Sequence, residues 1–149
     1  MKKILAAVDF SNATAQVVEM ATRIAGVFGA DLELLHVIEP SPGFVAYGFT
    51  PVDYPPLDAY QEEERHRATR KLKELLNRVH EDLPAATSHM GVGSPLHELL
   101  AYVGKSGADF VILGSHGHGM ISAMLLGSVA EGMVRKATVP TLIMPAPAE

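Results

Sequence analysis

The sequence contains no cysteine. That excludes a disulfide framework and any thiolate metal site. No apolar run reaches the length of a membrane span. No Gly-x-x-x-x-Gly-Lys-Ser/Thr segment occurs, so no lysine is set on a terminal phosphate by that motif. No Gly-x-Ser-x-Gly elbow occurs and no paired carboxylates stand out, so nothing marks a hydrolase. Positive charge is also in deficit. Twelve lysines and arginines against 17 acids leave a net charge of −5, which argues against broad nucleic-acid binding. What remains is an ordinary globular composition, 48% apolar and 19% charged. At 149 residues the chain reads as a single domain, able to bury about 70% of its unfolded surface. Its N-terminus is basic and then apolar, as a leader would be, but Asp9 interrupts the run early. A buried first strand and a cytoplasmic location are therefore expected.

Apolar runs and helical stripes alternate along the chain. Ile4 to Val8 reads as a strand buried on both faces. Ser11 or Asn12 is expected to cap the helix that follows. That helix carries a stripe of Val17, Ala21, Ile24 and Phe28, with Val18 and Ala25 beside it, and Gly29 ends it. Leu32 to Ile38 reads as a second buried strand. From Glu39 to Leu57, five prolines and four aromatics exclude a regular element and fit either a packed loop or a lid. Asp58 to Glu81 reads as a charged helix with pairs such as Glu63–Arg67. Ala85 to Met90 is a weaker strand. Ser94-Pro95 opens a helix through Leu96, Leu99, Leu100 and Val103, ended by Gly104 or Gly107. Asp109 to Leu113 is a strand, Ser128 starts a helix, and Pro140 to Pro145 holds an edge strand.

Five alternations of strand and helix predict an α/β fold: a doubly wound, five-stranded parallel sheet of order 3-2-1-4-5 with helices on both faces. Strands 1 and 4 then flank the switch point, and ligands bind beyond their carboxyl ends. Those ends deliver Asp9 and Gly114. After strand 4 comes Gly114-Ser115-His116-Gly117-His118-Gly119, and then Gly127-Ser128. Glycines let backbone approach a ligand closely, and a helix N-terminus presents bare amides, so this loop suits an anion such as a phosphate. Ser128 with Glu131 three residues on matches a capping box. Asp9 could cap the first helix or contact a ligand. His116 and His118 have no third ligand near in sequence, so no metal site is expected there. His36 and His89 read as satisfied core histidines.

Gly114-x2-Gly117-x9-Gly127-Ser128 resembles the nucleotide-binding signature of the universal stress protein family, in its ATP-binding branch. So do Leu-Leu-Gly-Ser-Val, the opening Ile4 to Ser11, and Leu35-His36-Val37. The resemblance implies a protein that binds ATP, or a relative such as ADP or AMP, with Mg on the phosphates. It implies Asp9 and Val37 around the ribose and adenine, and Ala7 and Leu113 near the base. It places Gly114, Gly117, His118, Gly127 and Ser128 around the phosphates, with the amides of Val129 and Ala130. It implies a homodimer through the last strand, Val139 to Met144. Two positions depart from the pattern. His118 stands where a lysine or arginine is common, and Ala130 where a hydroxyl is common. The expected function is a stress-response nucleotide sensor. The alternatives are a nucleotide-free interaction scaffold and a slow ATPase, and no catalytic residue is assigned.

Overall fold

The computed structural model describes residues 1–40, 55–117 and 126–146. Its strands are β1 (Lys3–Ala7), β2 (Asp31–Ile38), β3 (Thr87–Val92), β4 (Phe110–Gly114) and β5 (Thr141–Met144). Its helices are α1 (Thr14–Phe28), α2 (Pro55–Val79), α3 (Pro95–Ser106) and α4 (Ser128–Lys136). The strands form one sheet of order β3-β2-β1-β4-β5, all neighbours parallel. This is the expected doubly wound order. β1 lies at the centre because its apolar run is covered on both faces.

The two-residue period of the strands sorts their side chains into two cores. Ile4, Ala6, Val8, Leu32, Leu34 and Ile112 join the stripes of α1 and α2 on one face. Leu5, Leu35, Val111 and Leu113 join α3 and α4 on the other. Leu5, Leu34 and Ile112 are wholly buried, and each such side chain contributes about 1.5–3 kcal/mol. Gly29 and Gly107 end α1 and α3 in the left-handed conformation. β5 is an edge strand between Pro140 and Pro145, as its prolines predict.

Several local expectations are corrected. Neither Ser11 nor Asn12 caps α1: its N-cap is Ala13, with no side-chain cap bond. Asp9 instead braces the turn that precedes the helix, as described below. Phe28 closes the predicted stripe but is exposed, because the chain turns away at Gly29 one residue later. α2 begins at Pro55, inside the stretch read as a loop. Proline is tolerated in a first helical turn, where its missing N–H has no acceptor to serve. The rest of that stretch, residues 41–54, lies outside the described residues. The Glu63–Arg67 pair forms at 3.4 Å, but Glu64 is the nearer partner at 2.6 Å. The third strand is shifted two residues along the chain, Thr87–Val92 rather than Ala85 to Met90.

His36 is satisfied as expected, while His89 is half-buried and packs through its ring. His36 Nδ1 lies 2.8 Å from the Val8 carbonyl oxygen, and the ring of His89 stacks on Tyr102 at 4.1 Å. Tyr102 in turn donates to Glu33 Oε1 at 2.9 Å, and Lys3 Nζ lies 2.8 Å from Glu33 Oε2. Burial first, then the Glu33 hydrogen bond and charge, push the Tyr102 hydroxyl up to about 12. A raised folded value favours the neutral phenol in the fold. Its stabilisation is present below pH 10 or so, the unfolded value, and is lost as pH rises toward about 12. Tyr102→Phe should therefore flatten the alkaline limb of stability between those limits, read by denaturant melts at stepped pH. An unchanged limb would refute the coupling.

Candidate functional site

The carboxyl ends of β1, β2 and β4 open into a crevice of about 1050 Å³. It sits at the switch point because β1 sends its connection to one side and β4 to the other. Ala7, Asp9, Val37, Leu113, Gly114, Gly117, Gly127, Ser128, Val129 and Ala130 all border it. Ten sequence-predicted residues from four segments thus meet in one place. The eleventh, His118, lies outside the described residues.

Sheet alternation divides the crevice. Ala7, Val37 and Leu113 belong to the face covered by α3 and α4. Leu96 and Leu99 of α3 complete an apolar wall there. This wall suits a flat ring. The sequence reading missed both leucines, although Ser94-Pro95 marks a helix starting at the carboxyl end of β3. On the opposite face stand His36, Phe10 and α2. Phe10 has φ +61°, a costly conformation for a bulky residue and one found at functional sites. Its ring lies 4.2 Å from that of His36, and Lys71 Nζ sits 5.4 Å above it.

Asp9 serves two elements. Its Oδ1 accepts from the Ser11 amide at 2.9 Å and from the Thr14 hydroxyl at 3.4 Å. That braces the turn into α1 but does not cap the helix, since neither bond comes from a helix amide. Its Oδ2 faces the glycine loop: a β-carbon at Gly117 would lie 2.7 Å from it. Any larger residue at 117 would have to push the Asp9 carboxylate aside.

The loop is tied down through Ser115. The Ser115 amide donates to Met144 O at 2.7 Å, and Ser115 O accepts from the Gly127 amide at 2.7 Å. Gly127 is therefore not a free donor. Its value is its missing side chain, since a β-carbon there would lie 3.1 Å from Ser115 O. Gly127 is also the N-cap of α4, and no side chain caps this helix. This corrects the capping box: Ser128 is the first helical residue, and Glu131 pairs instead with Arg135 at 2.8 Å. The missing cap is itself informative. The amides at the start of a helix have no intrahelical acceptor, so those of Ser128, Val129 and Ala130 are available to an anion. His116 Nδ1 lies 2.7 Å from Ser115 Oγ, while His116 Nε2 is buried with no hydrogen-bond partner among the described residues. A buried orphan of this kind fits a site completed by a ligand.

Among the described residues no three histidine or acidic side chains cluster as a metal site would require. No described helix is long and apolar enough to cross a membrane.

The fold and crevice define a doubly wound parallel α/β protein with an anion-ready loop at its switch point. Residues 1–145 match the model of the Universal stress protein family, and the chain belongs to that family. It is 34% identical over 144 residues to universal stress protein A homolog 1 of Coxiella burnetii, covering 95% of this chain and 94% of that one. Universal stress protein UspA from Lactobacillus plantarum superposes with a TM-score of 0.83 at 23% identity, covering 96% and 97% of the two chains. The universal stress protein from Archaeoglobus fulgidus in complex with dAMP superposes with a TM-score of 0.66 at 20% identity, covering 96% and 97%.

Proposed function

We propose that this chain is an adenine-nucleotide-binding member of the family, with ATP as ligand, and acts as a stress-response sensor. The observation that carries the proposal is the meeting of an apolar wall, Asp9 and an uncapped helix N-terminus in one crevice. Ala7, Val37 and Leu113 take the base, and Asp9 the ribose. Gly114 and Gly117 admit the phosphates closely. Ser128 and the amides of Val129 and Ala130 donate to them. Charge-assisted bonds of this kind contribute about 1.5–3 kcal/mol each. With no described acidic cluster to hold it, Mg is bound mainly through phosphate oxygens. The dAMP complex of the Archaeoglobus relative supports an adenine nucleotide as the ligand class. The role is binding, with at most weak ATP hydrolysis, for which Asp9 is the one obvious candidate base among the described residues of the crevice. The protein works in the cytoplasm as a homodimer paired through Val139 to Met144. The position of β5 at a sheet edge among the described residues supports that pairing.

Mass spectrometry of small molecules released by acid from freshly purified protein tests the reading. Stoichiometric ATP, ADP or AMP is expected. An empty protein that also fails to bind Mg-ATP in calorimetry would overturn it in favour of a nucleotide-free scaffold.

A further inference from the structure

A second groove, of about 390 Å³, runs between α2 and β3. Among the described residues β3 is the sheet edge opposite β5, with β2 as its one neighbour. Its six residues give an edge about 20 Å long. Ser88, Met90 and Val92 face the groove. Leu72 and Leu76 of α2 form its floor, and Val92 is 51% exposed. The rim carries Arg65 and Lys73. No lining residue is acidic, and neither cation has an ion-pair partner among the described residues. This reverses the local sign of a chain whose acids outnumber its bases 17 to 12.

We propose that this edge binds an extended acidic segment of a partner protein as an added strand. An unpaired strand edge supplies main-chain bonds to any extended peptide. The apolar floor accepts alternate side chains, and Arg65 and Lys73 select acidic ones. A second copy of this chain is the wrong occupant. Two-fold pairing of β3 with β3 would bring the cations of both copies together, at a cost. Nucleic acid is opposed by the overall negative charge and the apolar floor.

The probe is a fluorescein-labelled eight-residue peptide alternating valine and glutamate. Its controls are a valine–lysine counterpart and a glutamate version with a central proline. The glutamate peptide is expected to raise anisotropy in a salt-sensitive way. It should shift the amide resonances of Ser88 to Val92 and leave those of Gly114 to Gly117 unmoved. Both controls should bind at least about tenfold more weakly. The double variant Arg65→Glu with Lys73→Glu should lose about tenfold in affinity. Both positions are exposed, so the fold is kept, as circular dichroism would confirm. Equal binding of the lysine peptide, shifts confined to another surface, or no binding would overturn the proposal. So would concentration-dependent self-association through β3, which would make the two cations mere guards of the edge.

Discussion

Gly117→Val abolishes nucleotide binding and leaves the fold standing. The first atom of the new side chain would lie 2.7 Å from Asp9 Oδ2, closer than two atoms can sit without a shift. A retreat of Asp9 would strain the bond that its other oxygen accepts from the Ser11 amide. The branched side chain therefore projects into the space through which phosphates approach the loop. Losing two charge-assisted bonds there corresponds to an affinity drop of about a hundredfold or more. The site is a crevice rather than the core, so the thermal midpoint should move by only a few degrees. Calorimetry with Mg-ATP and a parallel melt measure both quantities. Undiminished affinity would remove the phosphates from this loop. A collapsed melt would mean that Gly117 serves the fold instead.

Asp9→Ala is expected to act on both stability and affinity. The Ser11 amide and the Thr14 hydroxyl lose their acceptor, which costs about 1 kcal/mol in the entry to α1. The nucleoside end of the ligand loses a charged acceptor, lowering affinity about tenfold or more. Asp9→Asn separates the two effects. An amide oxygen can still serve the Ser11 amide, so stability should be largely retained while affinity falls. Titration of adenosine and ATP against all three proteins would measure this. If both variants bind adenosine like the parent, Asp9 is a turn residue alone.

These two predictions rest on unequal shares of sequence and structure. The glycine spacing is visible in the chain, because only glycine tolerates such close approach and nothing in a plain turn calls for so many. The partner that makes glycine necessary is not visible. Asp9 stands more than a hundred residues from Gly117, and only the parallel pairing of β1 with β4 brings them together. Ser128 shows the converse. Its pattern with Glu131 is that of a capping box, yet Gly127 holds the cap position and Glu131 turns to Arg135. A local pattern offers two outcomes there. The bond from the Gly127 amide to Ser115 O decides between them by fixing where the helix begins.

The chain by itself determined the fold class, the strand order and the residues of the loop. Those follow from periodicity and from backbone rules that act over a few residues: the two-residue strand period, the helical stripe, and left-handed glycine after α1 and α3. The tertiary structure alone decided which distant groups meet. It brought Leu96 and Leu99 to the apolar wall of the crevice, set Asp9 against both Ser11 and Gly117, committed the Gly127 amide to Ser115, and set Arg65 and Lys73 beside the β3 edge. The reason is physical. Short-range sterics and hydrogen bonds choose local conformation, but contacts between remote residues exist only once the sheet register and helix packing have placed them.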